Sequence, residues 1–82
     1  MKPITYNTAA INALRSMPAN TARRMVGKIE VYAEAPASQA NNVKKLRGRD
    51  DIRLRVGDWR VIMHDGEVLD VLNIGPRGGV DD

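Results

Sequence analysis

The chain has 82 residues, of which 43% are hydrophobic and 28% are charged, as expected for a single folded domain spanning residues 1–82. It contains no Cys and one His. That composition excludes a disulfide framework, a thiolate metal site and a histidine cluster for a metal ion. The sequence shows no apolar leader and no hydrophobic run of membrane-spanning length. We therefore expect a cytoplasmic protein that uses no metal or cofactor and does not enter a membrane.

Positive charge is concentrated in one stretch of the chain. The net charge is +3, but residues 44–60 hold seven of the thirteen basic residues and only three of the ten acidic ones. A basic patch of this kind is typical of a protein that binds a nucleic acid or an acidic protein partner. Charge alone does not distinguish the two.

The N-terminal segment predicts a short strand followed by a helix. Residues 2–6 favour a strand, which begins at a sheet edge or pairs only from Ile4 onward, because Pro3 has no N–H to donate. Thr8 is a candidate N-cap, and Pro18 ends the helix or begins the next one.

A second helix is predicted after Asn20 or Thr21, either of which is a candidate N-cap. The helix ends at Pro36, because the residue before a proline disfavours helical dihedral angles. Its apolar residues recur at helical spacing and are interpreted as core. This stripe consists of Ala22, Met25, Val26, Ile29, Tyr32 and Ala33.

Residues 53–60, Arg-Leu-Arg-Val-Gly-Asp-Trp-Arg, predict a β-hairpin. Apolar and basic residues alternate up to Val56, and Gly57 suits the first central position of a two-residue type II′ or type I′ turn. With Val56 and Trp59 flanking that turn, residues directly opposite each other share a face of the sheet. One face then carries Arg53, Arg55 and Arg60. The other face carries Leu54, Val56, Trp59, Val61 and Met63.

In this register Arg55 lies opposite Arg60, and like charges directly opposite each other destabilise a sheet. Two interpretations remain open. The guanidinium groups bind a polyanion bidentately, or the face is solvated and neutralised by nearby carboxylates. The candidate carboxylates are Asp50, Asp51, Asp58 or one elsewhere in the chain.

The remaining segments complete the predicted sheet. Residues 36–42 predict a surface loop, residues 43–46 a strand, and residues 65–66 a second hairpin turn of sequence Asp-Gly. Residues 67–74 predict the last strand, and residues 75–82 a tail. The whole predicts an α+β fold, with the N-terminal strand and a helical hairpin packed on one face of a small antiparallel sheet.

One register question stays open. A strict two-residue turn at residues 65–66 places Asp70 opposite Val61, on the face assigned to the core. A loop longer by one residue would instead flip every side chain of the last strand.

Three pieces of sequence, in this order and spacing, resemble the RelE/ParE family of toxins from type II toxin–antitoxin systems. They are residues 42–48 (Asn-Val-Lys-Lys-Leu-Arg-Gly), residues 53–62, and residues 74–77 (Ile-Gly-Pro-Arg). The resemblance implies a RelE-like fold and a cognate antitoxin as partner. In the RelE branch it implies a metal-independent endoribonuclease, an mRNA interferase. Such an enzyme enters the ribosome and cleaves messenger RNA by attack of a ribose 2′-hydroxyl on the adjacent phosphate.

The resemblance also implies roles for individual residues. Arg60 matches the arginine that stabilises the phosphate, Arg77 matches the arginine at the end of the last strand, and Arg53 stands where ribosome-dependent members often have lysine. These three are the candidate catalytic residues. The candidate RNA-binding residues are Lys44, Lys45, Arg47 and Arg55.

The sequence departs from the RelE branch at the groups that move protons. Asp81 stands where active members commonly carry Tyr, and an arginine is a poor general base because it stays protonated. His64 is a candidate base, since it falls on the arginine face and imidazole commonly transfers protons; Asp51 and Asp81 are weaker candidates. The alternative function is that of the ParE branch, which inhibits DNA gyrase by protein binding without cleaving RNA.

Overall fold

The computed structural model describes residues 1–78. Two helices and a 3₁₀ helix precede most of the sheet. In chain order the elements are β1 Ile4–Tyr6, α1 Thr8–Ser16, α2 Ala19–Glu34, a 3₁₀ helix Pro36–Asn42, β2 Val43–Lys45, β3 Ile52–Val56, β4 Trp59–Asp65 and β5 Leu69–Pro76.

The strands form one sheet in the order β1-β5-β4-β3-β2. The four strands β2 to β5 pair antiparallel, as predicted, whereas β1 pairs with β5 in parallel. The α+β prediction is confirmed, with a mixed rather than a wholly antiparallel sheet. β1 lies at a sheet edge, where the missing N–H of Pro3 is tolerated. No helix in residues 1–78 is both long and apolar enough to span a membrane.

The core lies between the helices and one face of the sheet. α2 contributes Met25 and Ile29, both fully buried, and this confirms the stripe predicted from helical spacing. Trp59 is partly buried and packs against the same core, as its predicted register requires. The buried core residues of the sheet are Leu54, Val56, Val61, Met63, Leu69, Val71 and Ile74.

Both predicted helix starts were wrong, by one residue for α1 and by two or three residues for α2. Asn7, not Thr8, caps α1: its side chain accepts a hydrogen bond of 3.0 Å from the backbone N–H of Ala10. Both residue types are favoured N-caps, with Asn somewhat better than Thr, and the backbone geometry places Asn7 at the cap. α2 begins directly after Pro18, without a side-chain cap.

The segment predicted as a loop, residues 36–42, is a 3₁₀ helix. Pro36 at its first position has the φ angle that a helix start needs and no N–H to leave unpaired. Gln39 is buried, with 8% of its surface exposed. This segment connects α2 to the edge strand β2 and supplies the two asparagines that border the basic face.

The second hairpin has a three-residue loop, residues 66–68, so the strict two-residue turn at residues 65–66 was wrong and the alternative of a loop longer by one residue is confirmed. The odd loop length places Asp70 opposite His64 and away from the core. One extra residue in β5, Leu72, then forms a β-bulge between the pairs Ile62–Asn73 and Met63–Val71. One inserted residue exchanges the two faces of a strand. The bulge therefore reverses, for the rest of β5, the exchange of faces that the three-residue loop introduced.

The last strand therefore begins and ends two residues later than predicted. Residues 67–68 belong to the loop, and Gly75 and Pro76 belong to β5 rather than to a tail. Of the predicted tail, residues 77–78 form a turn. Asp81 lies outside the described residues.

A polar cluster joins three distant parts of the chain at the second hairpin. Tyr32 of α2 donates a hydrogen bond of 2.6 Å to Asp65 Oδ2, and Lys2 forms an ion pair with the other carboxylate oxygen. Lys2 also donates to the carbonyl of Gly66 at 2.8 Å. Burial alone would raise the pKa of Asp65, but the hydrogen bonds from Lys2 and Tyr32 outweigh it, and the net pKa is lowered.

We expect Tyr32→Phe to lower the free energy of unfolding by about 1–2 kcal/mol, because it removes a hydrogen bond to a partly buried carboxylate. Urea unfolding monitored by circular dichroism measures the loss. Tyr6→Phe is a matched control, because the buried Tyr6 hydroxyl has no hydrogen-bond partner in residues 1–78. Equal losses in the two variants would show that the Tyr32–Asp65 bond contributes nothing.

The same cluster predicts a pH dependence of stability. Because folding lowers the pKa of Asp65, its contribution is fully present above the unfolded carboxyl pKa of about 4 and is lost as pH falls through the lower folded value. The stability difference between wild type and Asp65→Asn should therefore be largest at neutral pH and shrink below about pH 4. A difference that stays constant down to about pH 2 would contradict this.

Candidate functional site: a basic pocket on the outer sheet face

The β3–β4 hairpin has the register predicted from the sequence. Val56 pairs with Trp59, Arg55 with Arg60, and Arg53 with Ile62. Gly57 has a φ of +59°, and within residues 1–78 every residue with a positive φ is a glycine. The turn is therefore type II′ rather than type I′, because type I′ would require a positive φ at Asp58 as well.

Three strands and the 3₁₀ helix enclose a pocket on the outer face of the sheet. It has a volume of about 240 Å³ and is open to solvent. Arg53 and Arg55 reach it from β3, Arg60 from β4 and Lys44 from β2. Lys44 belongs there because it pairs with Arg53 and so shares its face. The other residues of the lining are Asn41, Asn42 and Val43.

Backbone and amide oxygens accept hydrogen bonds from two of these arginines. Arg55 Nη2 lies 3.4 Å from Asn42 Oδ1. Arg60 Nη1 donates to the backbone carbonyls of Trp59 at 3.2 Å and Gly57 at 3.4 Å. Such contacts orient a guanidinium group without neutralising its charge. The face thus favours the polyanion interpretation at Arg55, which has no ion pair within residues 1–78.

The carboxylate of Asp51 pairs with residues outside the basic pocket. It forms an ion pair with Arg49, and its Oδ1 lies 3.2 Å from His64 Nδ1. The hydrogen bond from Arg49 is the main cause of the lowered pKa of Asp51, and His64 adds to it. Of the three carboxylates that composition offered as neutralising partners, this one faces the second hairpin instead of the basic pocket.

His64 is on the outer face, as predicted, but away from the pocket. It stands four residues along β4 from Arg60, which is about 13 Å at the usual rise of a strand. A Cβ added at Gly66 would lie 3.7 Å from His64 Nε2, so the ring edge opposite Asp51 lies beside the second turn. The structure does not bring His64 and Arg60 together.

The other predicted basic residues are distributed around the sheet. Lys45 pairs with Ile52, so it faces the opposite side of β2 from Lys44 and is exposed at the sheet edge. Arg47 follows β2 and is exposed. Arg77 follows β5, and its backbone N–H donates to the carbonyl of Asp58 at 2.7 Å. This bond places Arg77 beside the first hairpin turn, near the start of the strand that carries Arg60.

Two residues near the pocket were not predicted as functional. Asn42 borders it and contacts Arg55, and Arg24 of α2 reaches the Gly57 turn from the helix layer. Neither has a local sequence signal, because both are brought there by tertiary packing. In residues 1–78 no group of three or more His, Asp or Glu side chains is arranged to hold a metal ion.

The chain is similar to known toxins. The family model described as "ParE toxin of type II toxin-antitoxin system, parDE" matches residues 4–80. Archaeal RelE from the RelE–RelB complex of Pyrococcus horikoshii OT3 has 28% identity and a TM-score of 0.79, over 96% of this chain and 98% of that one. RelE from the intact E. coli RelBE toxin–antitoxin complex has 20% identity and a TM-score of 0.75, over 93% of this chain and 96% of that one. No curated protein matches the sequence significantly.

The opposed arginines give a testable consequence for stability. Arg55→Thr should raise the free energy of unfolding by about 0.5 kcal/mol at low salt, because it removes a like charge from the position opposite Arg60. Lys45→Thr on the other face of β2, opposite an isoleucine, should show no such gain. Exchange of chloride for phosphate at equal ionic strength should raise the melting temperature of the wild type more than that of Arg55→Thr, because the general stabilising effect of phosphate is common to both. Destabilisation by Arg55→Thr together with an equal effect of the exchange on both proteins would contradict an anion-binding face.

Proposed function

We propose a function for this chain from one premise: it belongs to the RelE/ParE family of toxins of type II toxin–antitoxin systems. Within that family we propose a RelE-like activity, the ribosome-dependent cleavage of messenger RNA in the cytoplasm. One observation carries the proposal: four cationic side chains, from Lys44, Arg53, Arg55 and Arg60, converge on one open pocket.

The proposed reaction uses the RNA's own 2′-hydroxyl as the nucleophile. The 2′-oxygen forms a bond to the adjacent phosphorus, and the bond from phosphorus to the 5′-oxygen breaks. The products are a 2′,3′-cyclic phosphate and a 5′-hydroxyl. Negative charge increases on the non-bridging oxygens as the phosphorane forms, and donors already fixed around that position stabilise it without reorganising.

We assign to Arg53 and Arg60 the stabilisation of that negative charge. They stand on adjacent strands, and both line the pocket. A guanidinium group offers parallel N–H donors that match two phosphate oxygens, which an ammonium group does not. Arg77, beside the first hairpin turn, is proposed to bind the same phosphate group from the end of β5. Lys44 and Arg55 would neutralise the neighbouring backbone.

Proton transfer is the weaker part of the chemistry. The 2′-hydroxyl must lose a proton and the 5′-oxygen must gain one, and arginine does neither readily. His64 is the imidazole on the same face. Asp51 accepts from its Nδ1, which would leave Nε2 to exchange protons. The distance of about 13 Å along the strand from Arg60 favours electrostatic stabilisation over direct base catalysis, and the role of His64 stays a prediction.

A cognate antitoxin is the proposed protein partner. The similar toxins of P. horikoshii and E. coli are in complexes with RelB. On this chain the exposed side of the helical hairpin carries two apolar grooves, of about 400 Å³ and 320 Å³, and Gly27 lines both. An antitoxin segment with apolar residues fits these grooves, and an acidic segment fits the basic pocket.

Inhibition of DNA gyrase by protein binding is the second candidate function. It is supported by the family model, whose description names ParE toxins. The sequence also supports it, because Asp81 stands where RelE-branch members commonly carry Tyr. A basic face can bind an acidic protein as well as RNA, so the two functions must be separated by their products in the cell.

We expect Arg60→Ala to relieve the growth arrest caused by induced expression, since loss of one fixed donor to a developing oxyanion lowers rates about 10²- to 10³-fold. Arg15→Ala on exposed α1 is the control and should remain toxic. Arrest by a correctly folded Arg60→Ala protein would remove Arg60 from the mechanism. Mapping RNA ends after induction separates the functions: new 5′ ends within codons support the nuclease, whereas DNA-damage signalling with intact messages supports gyrase inhibition.

A further inference from the structure

Arg24 approaches the basic face from the other side of the molecule. It belongs to α2, which packs on the core face of the sheet, and it is exposed. Its guanidinium group lies against the first hairpin turn. A Cβ added at Gly57 would be 2.8 Å from Arg24 Nη2 and 3.3 Å from both Cζ and Nη1. The missing side chain at Gly57 thus leaves the space that this guanidinium group occupies.

Gly57 is also a contact of Arg60, whose Nη1 lies 3.4 Å from the Gly57 carbonyl oxygen. One residue of the turn therefore contacts two guanidinium groups, one from the helix layer and one from the sheet. Like charges on one turn repel each other, and an anion bound beside the turn would reduce that repulsion. Within residues 1–78, Arg24 forms no ion pair and no hydrogen bond, and the neighbouring carboxylate of Asp58 does not pair with it.

We propose that Arg24 is a further phosphate-binding residue, which extends the basic pocket around the Gly57–Asp58 turn onto α2. This inference rests on the proposed RNA-binding function. The ligand it takes is a phosphate of the same single-stranded RNA, adjacent to the one held by Arg60 and Arg53. A contact of this kind positions the strand and carries no base specificity.

The placement explains why the contact needs a guanidinium group on this helix. The pocket holds the cations of three strands, and two of these strands, β3 and β4, end at the two-residue turn. A chain of phosphates that continues past this turn meets Arg77, which follows β5, and Arg24, which α2 presents beside Gly57. Gly57 serves both surfaces, because it allows the positive φ of the turn and leaves room for Arg24.

The test measures how binding of a fluorescent single-stranded RNA of about 12 nucleotides depends on salt between about 20 and 200 mM. Each phosphate contact adds about 0.7 to the slope of log affinity against log salt for single strands. Arg24→Gln should lower the slope by about 0.7 and weaken binding at low salt. Arg23→Gln is the matched control: it removes the same charge one residue away on α2 and should leave the slope unchanged.

Arg60→Gln separates failure of this inference from failure of the proposed function. If Arg60→Gln lowers the slope and Arg24→Gln does not, the pocket binds RNA and the extension onto α2 is rejected. If neither substitution changes the slope, both the pocket and its extension are rejected. Equal losses in Arg24→Gln and Arg23→Gln would show a general charge effect, and this also overturns the proposal. Thermal unfolding of each variant confirms that the fold is retained.

Discussion

The main constraint on the outer face is the cross-strand pair of Arg55 and Arg60, which places two positive charges opposite each other. Two cations opposite each other oppose strand pairing by about 0.2–1 kcal/mol. On the reverse of the same two strands, Leu54 lies opposite Val61, and both are fully buried. Each buried aliphatic side chain contributes about 1.5–3 kcal/mol. The apolar face therefore fixes the register, and the basic face is held together by a core to which it does not contribute.

This division explains how much of the fold was predictable. Alternation of period two, followed by Gly57, specifies both the turn and the register, because a shift of one residue would bury arginine and expose leucine. The second hairpin lacked so sharp a signal. Its register depends jointly on a three-residue loop and on the bulge at Leu72, each of which exchanges the faces of β5. Asp70 was the one local indication that a simple turn at residues 65–66 was wrong.

The site was predictable where it follows strand alternation and unpredictable where it depends on packing between elements. Arg53, Arg55, Arg60 and Lys44 share the pocket because alternation and pairing place them on one face. The same rule sends Lys45 to the opposite side, although the two lysines are adjacent in sequence. The contact of Arg24 with the Gly57 turn, and that of His64 with Asp51, follow from the arrangement of elements and have no counterpart in sequence spacing.

For the proposed RNA cleavage, the pocket would supply one part of the chemistry better than the other. Fixed donors to a developing oxyanion contribute about 10²- to 10³-fold each, and a positioned acid or base about 10²- to 10⁴-fold. In the proposed reaction Arg53 and Arg60 would supply the first kind of contribution within one pocket, while His64, on the same face, stands about 13 Å along the strand from Arg60. A nuclease built this way loses more from the removal of Arg60 than from the removal of His64. It also depends on correct alignment of the RNA, because electrostatic stabilisation acts only where the phosphorane forms. A requirement for the ribosome as the surface that aligns the message is consistent with such a site.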